Sequence, residues 1–121
     1  MEVVVHRGGW PKDPDAFKGA DTIVLFMDGG GRHPINGRLE QVKKEIDHGC
    51  GLMCMHYAVE VPAGRSGKAL QSWIGGYYET GWSINPHWVA KSKLNTKHPV
   101  TRGVVDFSLI YFISRPFRRG V

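Results

Sequence analysis

A chain of 121 residues with 41% hydrophobic and 22% charged side chains has the make-up of one ordinary globular domain, not of a disordered, collagenous or repeat polypeptide. Two cysteines, Cys50 and Cys54, are too few for a disulfide framework, and apolar runs such as Ile23–Met27 are far too short to span a bilayer. The net charge of +5 is uneven: residues 1–90 hold nine Lys and Arg against ten Asp and Glu, while residues 91–121 hold seven against Asp106 alone.

Met1 to His6 lacks the basic flank and long apolar core of a signal peptide, which with only two cysteines points to a reducing, cytoplasmic interior. The β-branched run Glu2–His6 is expected to be a buried strand, ended by Gly8-Gly9 and Pro11. Asp13 followed by Pro14 reads as a cap and first helical position, with one helical turn closing at Gly19. Thr22–Met27 has no polar alternation, as a parallel strand covered on both faces requires. A loop, Asp28-Gly29-Gly30-Gly31-Arg32-His33-Pro34, follows its carboxyl end.

Asn36 is expected to cap a helix through about His48, with Leu39, Val42 and Ile46 as its apolar stripe. Gly49 and Gly51 stop it and admit a strand, Leu52–His56. After a Gly- and Pro-rich turn, Ala69, Leu70, Trp73 and Ile74 predict a helix ending at Gly75-Gly76. A loop-rich stretch leads to a short strand at Trp88–Ala90 and an apolar run at Phe107–Ile113. Strand, helix and strand in succession predict an α/β fold with a parallel sheet of three or four strands. Ligands of such sheets lie beyond the carboxyl ends of the strands.

Polar clusters fall at those ends. In the first, three bare glycines let a ligand reach backbone N–H groups, while Asp28, Arg32 and His33 add an acceptor, a donor fork and a titratable ring. The spacing is neither a phosphate loop nor a dinucleotide fingerprint, and a solvated turn is the bland alternative. The second is Gly51 to Glu60, where His56 ends a strand as the residue of a nucleophile elbow does. His56 suits a general base or a metal ligand, with Glu60 as its partner and Tyr57 lining the pocket; a satisfied core histidine is the alternative. Cys54, flanked by methionines, reads as inert packing.

The third cluster, Gly75–Trp88, gathers aromatics with Glu79, Asn85 and His87, a combination suited to sugar rings or to an aromatic mini-core. No His-x-x-x-His or Cys-x-x-Cys pair occurs, so a divalent metal such as zinc would need His33, His56, His87, Asp28 or a glutamate from separate loops.

The chain resembles the trehalose-utilisation (ThuA-like) family of the class I glutamine amidotransferase-like, flavodoxin-like folds. The resemblance runs from about Val3 to Phe107. It rests on Asp28-Gly-Gly-Gly-Arg32-His33-Pro34, Gly51-Leu-Met-Cys-Met-His56-Tyr-Ala58, Trp73-Ile-Gly75-Gly76 and His98-Pro99-Val100-Thr101-Arg102-Gly103. It implies a three-layer parallel sheet over residues 1–107 and a link to carbohydrate utilisation. His56 stands where amidotransferases place their cysteine nucleophile, so glutaminase chemistry is not implied.

Two departures mark the match. Family domains begin one strand earlier, which makes the expected sheet incomplete, and they carry an acidic segment where Ser108–Phe112 stands here. Residues 108–121 then form a divergent basic tail.

The combined reading is a sugar-acting domain of hydrolase or lyase type, its pocket lined by Asp28, Arg32, His33, Tyr57, Glu79, Asn85 and His87 around His56 and Glu60. The alternative is a non-catalytic carbohydrate-binding or assembly module. A small sugar is the expected partner, with neither nucleic acid nor membrane. Apolar Val3–Val5 at a sheet edge predict a homodimer or a poorly soluble monomer.

Overall fold

The apolar run after Asp21 forms the first strand, β1 (Thr22–Phe26), and the stripe of Leu39, Val42 and Ile46 forms α1 (Leu39–Asp47). Gly49, at φ +94°, turns the chain out of α1 and into β2 (Gly51–Met55). β2 lies parallel to β1, with Thr22 opposite Gly51 and Phe26 opposite Met55. The second helix, α2 (Arg65–Ile74), stops at Gly75, whose φ of +86° is the left-handed conformation that ends many helices. Further on, β3 (Trp88–Ser92) and β4 (Phe107–Tyr111) pair antiparallel. The computed structural model describes residues 1–79, 88–95 and 97–111, and the chain divides into two units, Met1–Ser83 and Ile84–Val121.

The first unit is a mixed α/β layer pair. Ile23 and Leu25 on one face of β1 are each 4% exposed and pack with Ile35, Leu39 and Val42 from the α1 side and Leu70 from α2. Ala58 and Val61, after β2, complete the same core. Tyr77 closes over α2 so tightly that a Cβ on Gly67 would lie 2.6 Å from its ring. Past β2, Glu60 makes a parallel bridge to Tyr78, with the Tyr78 N–H on the Val59 carbonyl at 2.8 Å. Trp10 is tied to α1 through its indole N–H on Gln41, at 2.9 Å, and stands edge-on to Phe17.

Several sequence expectations are corrected. Glu2–His6 is not a strand, and Val3, Val4 and Val5 are exposed; a strand needs a partner to take its backbone groups, and no strand pairs with this run among the described residues. β1 is covered on one face only, since Val24 is 53% and Phe26 71% exposed, as are Met53 and Met55 on the same sheet to about half. Continuous apolarity therefore did not mean burial on both sides. Among the described residues the parallel sheet has two strands, β1 and β2, and not the expected three or four; β3 and β4 form another pair of opposite sense.

Local boundaries also shift. Asn36 does not cap α1, because His33 and Pro34 start a 3-10 turn over Pro34–Gly37 first; the Asn36 amide donates instead to the Gly31 carbonyl at 3.0 Å. The stretch 14–19 is a series of turns bonded three residues apart, started by the Asp13 carboxylate on the Asp15 N–H at 2.8 Å. β2 ends at Met55, and His56 opens a 3-10 turn over His56–Val59.

Candidate functional site

The parallel register brings the carboxyl ends of β1 and β2 side by side, so the residues that follow each strand become neighbours. One past β2, His56 takes φ +58°, the positive value found at no other non-glycine residue among those described. A β-strand that turns sharply through a left-handed residue into a helical turn holds that side chain out of the sheet, as an elbow does. Two past β1, Asp28 places Oδ1 3.8 Å from His56 Nδ1, with the two side chains 96% and 48% exposed. The separation is an ion-pair distance for a protonated ring, longer than a hydrogen bond.

Aromatic rings border the pair. Tyr57 meets the His56 ring edge-on at 4.6 Å between centroids, and Phe26 lies 5.8 Å from it at a tilt of 56°. Both are exposed, so the site is an open shelf with an imidazole, a carboxylate and two ring faces.

The glycine loop is fixed to the elbow. A Cβ on Gly29 would lie 2.3 Å from the Tyr57 carbonyl and 2.4 Å from Glu60 Cβ, so no residue but glycine lets the two segments approach this closely. The Gly30 N–H donates to the Glu60 carbonyl at 2.8 Å. His33 is 2% exposed, and both its nitrogens are engaged: Nδ1 accepts the Ile35 N–H at 3.1 Å, and Nε2 lies 3.1 Å from the Ala58 carbonyl. An Nδ1 that accepts carries no proton, so Nε2–H is the donor to Ala58. Burial pushes the ring's pKa down, against the pull of the Ala58 carbonyl.

The structure thus gathers Asp28, His56 and Tyr57, with Glu60 at the loop's base beneath Gly29. Arg32 is exposed on the same loop. His33 belongs to the scaffold and is not presented to a ligand. Glu79 accepts the Tyr77 hydroxyl at 3.1 Å, which holds the phenol pKa up and occupies the carboxylate locally. Asn85 and His87 lie outside the described residues. Sequence reasoning placed Asp28 in the pocket but paired His56 with Glu60, and it did not single out Phe26. The usable signal was the parallel register, which sets Phe26 level with Met55.

No three His, Cys, Asp or Glu side chains converge to hold a metal among the described residues. Burial raises the thiol pKa of Cys54, as it does that of Cys50, so the thiolate form that reacts is disfavoured at both. A cleft of about 520 Å³ lies at the opposite, amino ends of the strands, between Lys18, Asp21, Lys44, Glu45, His48 and Cys50. It holds none of the residues gathered at the carboxyl ends. No helix among the described residues is long and apolar enough to cross a membrane.

Fold and site together define a small α/β unit with a polar shelf at the ends of parallel strands. Compared with known proteins, the chain matches no family model, no curated protein and no solved structure.

Proposed function

We propose that this chain is a ThuA-like, flavodoxin-like domain of carbohydrate utilisation whose site is the shelf at the ends of β1 and β2. The observation that carries the reading is the His56–Asp28 pair at 3.8 Å, held by a left-handed residue at a strand end and bordered by the Tyr57 and Phe26 rings. His56 acts as general base on a sugar hydroxyl or on a carbon-bound proton beside a carbonyl. Asp28 stabilises the imidazolium that results, in place of Glu60. The ring faces stack on the apolar C–H side of a sugar, and Arg32 donates to its hydroxyls.

Incubation of the purified chain with trehalose, related disaccharides and their keto derivatives tests the reading. Turnover that falls about 100-fold or more in His56→Gln, the usual scale for losing a general base, agrees with it. A second reading is favoured by the openness of the shelf, where the Asp28 side chain is 96% exposed. In it the domain binds sugar without turning it over, and the same ligands raise the melting temperature with no product formed. Neither stabilisation nor turnover with any of these sugars refutes both.

A further inference from the structure

His33 sits between the two halves of the shelf, and its chemistry bears on both. Its Nδ1 fixes the start of the 3-10 turn through Ile35, and its Nε2–H reaches across to Ala58, on the turn that His56 opens. With the Gly30 N–H on the Glu60 carbonyl, this ties the glycine loop to the elbow at two points. Asp28 stands at the head of that loop. We propose that His33 is the positioning residue of the site: a neutral imidazole, protonated on Nε2, that latches the loop to the elbow and thereby holds Asp28 beside His56.

The latch works in one protonation state. A second proton on Nδ1 turns the acceptor of the Ile35 N–H into a donor facing a donor, so the turn must open. Charged groups on the elements around the ring are Asp28 and Arg32 on its loop, His56 and Glu60 on the turn, Arg38 and Glu40 beside the start of α1, and Arg65 and Lys68 on α2. Burial pushes the ring's pKa down, and the Ala58 carbonyl pulls it back up. Lowered pKa and buried geometry agree that the closed form prevails at neutral pH and is lost on acidification.

The inference rests on Asp28 and His56 forming one site, but its test reads the loop itself, so failure of sugar binding and failure of the latch are separate results. Uniformly ¹⁵N-labelled chain is titrated from pH 8 to 4.5, following the histidine ring nitrogens and the exchange of the Gly30 and Ile35 amides. The expected result is an Nε2–H tautomer for His33 that persists below the ordinary histidine range. Loop exchange then rises at least tenfold at the pH where that ring protonates, while the Val42 amide stays protected.

His33→Asn retains a short acceptor for the Ile35 N–H but cannot reach Ala58. Its loop exchange should be at least tenfold faster at pH 7.5 and should show no step on acidification. Substitution of the exposed histidine, His98→Asn, should leave both loop signals as they are. An Nδ1–H tautomer, a His33 that is charged at neutral pH, or a loop whose exchange is the same in His33→Asn overturns the proposal. The first two readings need only the native chain, so they decide the matter even where the variant does not fold.

Discussion

The chain uses the same short word twice, His33-Pro34-Ile35 and His98-Pro99-Val100, and the two copies have different fates. Both start a 3-10 turn, and in both the histidine Nδ1 accepts the N–H two residues on, at 3.1 Å and 3.2 Å. Among the described residues the arrangement around His98 ends there, with His98, Pro99 and Val100 exposed. Around His33 the ring is buried, Ile35 is fully enclosed in the core, and the second nitrogen binds Ala58. The capping turn is therefore a local property of His-Pro, and the latch is a property of what covers it. One dipeptide cannot reveal which of its copies holds a site together.

Substitution of the residue that follows each cap should separate the two most strongly. Ile35→Ala should cost about 2–5 kcal/mol by urea denaturation, the range for emptying a buried aliphatic site. Val100→Ala should stay within about 0.5 kcal/mol, since Val100 is 79% exposed. A large loss at Val100 would mean that the second turn is covered by something that its exposure does not show.

The histidines themselves come next. His33→Asn leaves the buried Ala58 carbonyl without its donor and should cost about 1–3 kcal/mol, against a few tenths for His98→Asn. The pH dependence sharpens this. A ring whose pKa is lower folded than unfolded contributes fully above the unfolded value of about 6.5, and that contribution is lost as pH falls through the folded value. Unfolding free energy measured from pH 8 to 5 should therefore decline in the native chain by more than in His33→Asn.

Glycines give a comparison of similar size. Gly29→Ala sets a methyl against the Tyr57 and Glu60 backbone, 2.3 Å and 2.6 Å away, and should cost about 1–3 kcal/mol because backbone cannot move aside. Gly103, at φ +79° with open space around it, should cost about 1 kcal/mol as alanine, from its left-handed backbone alone.

The smallest effect has the opposite sign. His56→Gly removes a side chain from a left-handed position and should raise stability by about 0.5–1 kcal/mol while abolishing any turnover. A destabilised glycine variant would show that the His56 contacts with Tyr57 and Phe26 outweigh the backbone cost.

Much of the element order was legible because β1, α1, β2 and α2 each carry their own period and their own stops, with Gly49 and Gly75 placed where the chain must turn. What was not legible lies between elements. Val24 and Phe26 are as apolar as Ile23 and Leu25, and only the packing of α1 and α2 onto one face tells them apart. Glu2–His6 has strand composition, but composition supplies no partner. At the site, His56 and Asp28 were each marked by their place after an apolar run, whereas their pairing required the register. His33 was misread as a pocket residue because a histidine in a glycine loop looks available until its burial is known.

Chemical-shift mapping with trehalose on the labelled chain tests the central claim most directly, that the chemistry lies on the shelf and the latch lies beneath it. The account predicts perturbations at Phe26, Asp28, Arg32, His56 and Tyr57, with no change in the tautomer of His33. Perturbations confined to Lys18, Asp21, Glu45 and Cys50, around the cleft at the amino ends of the strands, would contradict it.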